Sequence, residues 1–181
     1  MHSPTYYHRL RSKYAPSLPR LILVAESPPI SGKYFYDSTG KPDEPLFMAV
    51  MLNILKLTPK TKEAGLVALR KAGVVLLDAT YVPLNDGRSD REKREIIAHD
   101  FPQLVYLLRA TVKRRSTPIL IIKPNVYREI GFRLEGLDLN VINQGFAVPF
   151  PSNGHQGCFQ AIVHFLLRDA GWNVPRPNRS K

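Results

Sequence analysis

The sequence predicts an α/β fold in three layers, with helices on both faces of a mainly parallel, four-stranded central sheet. Three observations carry this expectation. Short, continuous apolar runs recur along the chain, as strands covered on both faces require. Segments with helical spacing of apolar residues lie between them, so strand and helix alternate. Polar loops follow the apolar runs, and an open α/β sheet builds its site at such carboxyl ends.

The elements follow in order. The first strand is Leu21–Ala25 and the second Val74–Asp78; residues 119–122 and 140–148 supply the third and fourth. Residues 45–57 place Leu46, Val50, Ile54 and Leu57 on one helical face, and residues 62–72 do the same with Leu66, Leu69 and Ala72. Residues 90–115 read as helix with a break near Asp100-Phe101-Pro102, because proline disfavours helix in the residue before it. A short helix over residues 125–133 and a longer one over 156–171 complete the series, with Gly171 as a stop signal and Pro175 and Pro177 beyond it. Residues 31–44 form a long loop carrying Gly32, Gly40 and Pro42, and loops of this length are often functional.

This layout gives one domain over residues 21–172. It is preceded by a basic, aromatic arm (residues 1–20, with Tyr6, Tyr7 and Tyr14 among its cations) and followed by a basic tail (residues 173–181). A chain of 181 residues with 44% hydrophobic content is enough for one core. Lys and Arg number 26 against 15 Asp and Glu, a net charge of +11 that attracts polyanions. The single cysteine, Cys158, excludes an intrachain disulfide and a cysteine-only metal or iron–sulfur site. It suits a reducing compartment, so the expected location is cytoplasmic or nucleoid-associated. No apolar run has the length of a membrane span, and the N-terminus lacks the apolar stretch of a secretory signal. H-E-x-x-H, Walker A, G-x-S-x-G and C-x-x-C are all absent, which removes support for zinc peptidase, P-loop and α/β-hydrolase chemistry.

The polar residues at the strand ends are Glu26 and Ser27, Asp78 and Thr80, Lys123, and the loop Phe150-Pro151-Ser152-Asn153-Gly154-His155. These segments resemble the motifs of the uracil-DNA glycosylase superfamily, in the family's order. Ala25-Glu26-Ser27-Pro28-Pro29 is similar to motif A, nearest the G-E-A-P-G form of the iron–sulfur-type enzymes. Pro149-Phe150-Pro151-Ser152-Asn153 resembles motif B, H-P-S-P, with Phe150 at the histidine position. Gly157, Phe159, His164 and Phe165 match the spacing of the helix after motif B, and the segment Leu77-Asp78-Ala79-Thr80-Tyr81-Val82-Pro83 resembles the one that carries a base-reading asparagine. The cluster cysteines are missing, so no cofactor carries over.

The resemblance implies a monofunctional DNA glycosylase that flips out a uracil-like or deaminated base and hydrolyses its N-glycosidic bond. DNA, single- or double-stranded, is the implied partner, with no membrane and no metal. Such a reaction needs a carboxylate near the anomeric carbon, donors for the departing base, an aromatic stacking surface, and groups that hold phosphate. The catalytic candidates are Glu26, Asp78 and His155; the base-binding candidates are Phe35, Phe47, Asp78 and Phe150. Ser27, Lys123, Ser152, Asn153, Arg114 and Arg115 are the phosphate candidates. Each has a plainer alternative: Glu26 and Asp78 as capping carboxylates, the aromatics as core, His155 as an incidental loop residue, and the basic run as a solvated helix end. Asp78 departs from the family's asparagine. Ionised, it offers only acceptors, which suits an exocyclic amino group better than a uracil carbonyl. Ser27 and Phe150 each lack a group tied to the chemistry. Two further functions therefore stay open: a non-catalytic nucleic-acid binder of the same fold, and an α/β enzyme acting on a small nucleotide or nucleoside.

Overall fold

A computed structural model describes residues 2–152 and 154–174. The chain is α/β, with a small open parallel sheet of three strands flanked by helices. The strands are β1 (Leu21–Ala25), β2 (Val74–Asp78) and β3 (Ile119–Ile121), in the order β2-β1-β3. Leu21 pairs with Val74 and Ala25 with Asp78, so β1 and β2 end level with each other; Ile22 to Val24 pair with Ile119 to Ile121.

Every residue of the three strands is buried. Alternation along β1 divides the core in two. Leu21 and Leu23 join the cluster packed beneath α1 (Pro4–Ser12), α2 (Pro45–Val50), α3 (Lys62–Ala72) and α6 (Gln156–Asp169). Ile22 and Val24 join the opposite cluster, with α4 (Asp90–Thr111) and α5 (Pro124–Glu135).

The expected fourth strand is not formed as a strand. Residues 140–148 run beside β3 but meet it through two isolated parallel bridges, Ile119 with Val141 and Ile122 with Val148. The reason lies in Asn143, which is fully buried. Its side-chain Oδ1 accepts from the Ile121 amide at 2.8 Å, and its Nδ2 donates to the Ile121 carbonyl at 2.9 Å. A side-chain amide thus fills the place in the ladder that a backbone amide would take. Gln144 and Gly145, both at positive φ, then turn the chain outward.

The expected break in α4 is also absent: the helix runs through Pro102. Ile97, Phe101, Leu104 and Leu108 form one buried stripe at helical spacing on both sides of the proline. Burial of that stripe outweighs the local cost of an interior proline, about 3 kcal/mol, since each large apolar side chain contributes roughly 1.5–3 kcal/mol. A capping box at Ser89 and Glu92 fixes the helix start.

Residues 45–57, expected as one helix, are α2 followed by a π-helical segment, Met51–Leu55, that ends at Lys56 with positive φ. Near the N-terminus, Ser3 caps α1 and Pro4 occupies its first turn, both familiar helix-start signals. Tyr7 and Arg11 of α1 are buried against the domain.

Candidate functional site

The carboxyl ends of β1 and β2 open into a cavity of about 220 Å³. Asp78 and Leu76 of β2, Ala25 at the end of β1, Ser27 after it, Phe35, Phe47 and Phe150 are among the residues that line it. Three distant segments therefore meet there: the loop after β1 with the long loop, the end of β2, and the loop before α6. The level ends of β1 and β2 put Asp78 next to Ala25, and the Thr80 amide continues the pairing by donating to the Glu26 carbonyl at 3.1 Å.

Phe35 and Phe47 form one wall, with ring centroids 5.4 Å apart and planes tilted by 58°. Phe47 is set by α2, where it packs on Gly65 of α3. A Cβ at that glycine would come within 2.6 Å of the Phe47 ring, so only glycine admits this wall position without movement. Tyr34 brings its hydroxyl to Asp78, donating to Oδ2 at 3.0 Å. No hydrogen bond joins the other oxygen, Oδ1, to a described residue. Since no buried side-chain polar atom among the described residues lacks a partner, Oδ1 meets the open cavity.

Asp78 is 4% exposed. Burial pushes its carboxyl up to about 7, against the opposing pull of the Tyr34 hydroxyl and the Arg11 guanidinium. Arg11 reaches this region from α1 and donates to the Tyr81 hydroxyl at 2.5 Å. Burial and the charge of Asp78 in turn raise Tyr34 above the usual phenol range, so it stays a neutral donor. Tyr7 packs edge-on to Tyr34 at 4.8 Å and stacks on Tyr81 at 5.8 Å, so aromatic rings from α1 and the segment after β2 back the Tyr34 side chain.

Glu26 is as buried as Asp78, at 6%, but it is not among the residues that line the cavity, and each of its oxygens has a partner. Lys123 Nζ donates to its Oε2 at 2.5 Å and Asn125 Nδ2 to its Oε1 at 2.6 Å. Lys123 joins β3 to α5 at φ 84° and ψ 131°, a strained conformation for a residue with a side chain. Its ammonium also lies 5.6 Å from the centroid of Phe150. Lys123 thus links the loop after β1 to the loop before α6, and its own amide donates to the Val148 carbonyl at 2.8 Å.

The other expected site residues divide by position. Ser27 is half-buried, and its Oγ accepts from the Leu84 amide at 3.2 Å. Ser152 is half-buried in the turn after Phe150, where its amide donates to the Phe150 carbonyl at 2.8 Å. Asn153 lies outside the described residues, as do the basic residues of the tail from Arg176 onward. His155 is exposed at the start of α6 and is not among the residues that line the cavity. Arg114 and Arg115 precede β3, so a parallel sheet puts them at the end opposite the cavity; Arg115 pairs there with Asp138 at 3.0 Å on the surface. Among the described residues, no group of three or more His, Cys, Asp or Glu is placed to hold a metal, and no helix is long and apolar enough to cross a membrane.

Several site residues escaped the sequence reasoning. Asn125 stands two positions past Lys123, so the strand-end rule that selects Lys123 could have found it. Glu44 lines the cavity and pairs at 2.5 Å with Lys62, a lysine buried on an otherwise amphipathic helix. Arg11 carries no local signal, because its role depends on how α1 packs. No protein-family model matches the chain, and no curated protein matches it.

Proposed function

We propose that this chain is a DNA glycosylase-like protein of the uracil-DNA glycosylase kind, which holds one altered or mispaired nucleobase in the strand-end cavity and hydrolyses its N-glycosidic bond. The observation that carries the reading is the cavity itself: aromatic walls from Phe35, Phe47 and Phe150 around a buried carboxylate, flanked by the two loops that resemble motifs A and B. The net charge of +11 supports a polyanionic partner.

In this reading the C1′–N bond breaks, its electron pair leaves with the base, water oxygen bonds to C1′, and a water proton ends on the base. Glu26, oriented by Lys123 and Asn125, stabilises the positive charge on the sugar. Lys123, Ser27 and Ser152 hold the flanking phosphates, with Asn153 next to Ser152 in the chain. Phe35, Phe47 and Phe150 enclose the base.

Oligonucleotides carrying uracil, hypoxanthine, xanthine, an alkylated adenine, or a mispaired thymine or cytosine test the reading. An abasic product from at least one of them is the expected result. A second reading, a non-catalytic nucleic-acid binder, is favoured by one observation: both oxygens of Glu26 are already occupied. DNA affinity that falls steeply with salt, without any abasic product, selects that reading. Tight binding of a free nucleotide with negligible DNA affinity defeats both.

A further inference from the structure

We propose that the cavity selects a nucleobase that turns an exocyclic amino group towards Asp78, and rejects the carbonyl-flanked edge of uracil and thymine. The inference rests on the cavity being a base site and names the class of base it takes.

The polar chemistry of the lining carries the argument. Tyr34 has one hydroxyl hydrogen, and it is directed to Oδ2 of Asp78. The oxygen that remains, Oδ1, faces the cavity as an acceptor. Glu44, the second carboxylate of the lining, is tied to Lys62. The Ser27 hydroxyl accepts from the Leu84 amide and keeps its own hydrogen, but it is only half-buried, and Ser31 and Lys33 of the lining are exposed. The polar group of the lining that is both buried and open to a base is the acidic oxygen of Asp78.

Uracil and thymine present one N–H between two carbonyls along their pairing edge. A lone carboxylate oxygen placed there can take the N–H but offers nothing to the carbonyl on either side, inside a desolvated site. A buried acceptor left unpaired in this way weakens binding strongly. Cytosine, adenine and guanine each carry an amino group that donates to the same oxygen. For an excision enzyme, the favoured substrate is then an altered base that keeps its amino group rather than one that has lost it. An asparagine at this position would offer both a donor and an acceptor and would remove the preference.

Matched pairs of free bases, titrated into the full-length chain at pH 8 and followed by chemical-shift changes, test this without requiring excision. Cytosine against uracil, and 2-aminopurine against purine, isolate the amino group. Binding about tenfold or more tighter for the amino-bearing member of each pair is expected, the range for a hydrogen bond to a charged group. The substitution Asp78→Asn should bring uracil level with cytosine or ahead of it. Equal or tighter binding of uracil by the unmodified chain overturns the inference and leaves the base site standing. No binding of any of the four bases overturns the base site and the inference with it. Because the preference is read first on the unmodified chain, a misfolded variant does not decide the outcome.

Discussion

Glu26 and Asp78 sit one residue past the end of β1 and at the end of β2, equally buried, and the protein treats them in opposite ways. Around Glu26 the fold places an ammonium and an amide, one on each oxygen, both from the start of α5. Around Asp78 it places a single phenol, apolar side chains and open space, with Arg11 further back. One carboxylate is held in an ion pair with a donor on each oxygen. The other is destabilised as an anion and keeps an oxygen for a ligand. Burial alone therefore does not decide what a strand-end acid can do. The donors supplied by neighbouring segments decide it.

The largest effect should come from breaking the engaged side. Lys123→Ala leaves Glu26 buried with Asn125 as its remaining partner. A loss of about 2–4 kcal/mol in urea unfolding is expected, below the full cost for a pair out of contact with water because Lys123 is partly exposed. A loss under about 0.5 kcal/mol would mean that Glu26 is not charged in the folded chain, and the contrast with Asp78 would fall.

On the other side, Asp78 should make stability depend on pH. Its carboxyl is raised from 3.8 to about 7 in the folded chain. Between those values the folded chain keeps a proton that the unfolded chain has released. The contribution is therefore most favourable at low pH, declines as pH rises through about 4 to 7, and is flat above. Of the groups facing Asp78, Tyr7, Tyr34, Tyr36 and Tyr81 are all raised and stay neutral across this window, while Arg11 stays charged. Asp78→Asn should therefore stabilise the chain at pH 8, on the order of 2 kcal/mol, and remove most of the slope in thermal unfolding between pH 5 and pH 8. Destabilisation at pH 8 would show that Asp78 is held as firmly as Glu26.

A smaller effect tests the aromatic wall of the cavity beside Asp78. Gly65→Ala puts a methyl group against the Phe47 ring, and overpacking of this kind costs about 1–2 kcal/mol. It should also weaken 2-aminopurine binding, because Phe47 moves into the cavity. At the bottom of the scale, Arg115→Ala should leave both the melting temperature and DNA affinity unchanged: its pair with Asp138 is solvent-exposed and lies at the far end of the sheet.

Much of this was legible in the chain. Continuous apolar runs located β1 and β2 to the residue, and apolar spacing located α3 at Lys62–Ala72. Placing loops at strand ends brought Ser27, Asp78 and Phe150 to one cavity, whereas Phe35 and Phe47 were expected there from the aromatic long loop and the family resemblance. What was not legible depends on side chains acting at a distance. Asn143 reads as an ordinary polar residue within a strand pattern, and only its contact with β3 shows that it replaces a ladder step. Pro102 reads as a helix break until the buried stripe around it is weighed. Arg11 and Tyr34 reach Asp78 from segments with no sequence signal for that meeting. His155 and the Arg114–Arg115 run show the opposite case, where residue type suggested a role and position placed the side chain elsewhere.

The twist of the main chain at Lys123 sets the two demands on that junction against each other. Glycine would adopt the same dihedral angles with little penalty. It would also erase the positive charge that neutralises its acidic neighbour. Random substitution here is thus expected to find relief only by dismantling the link between two loops.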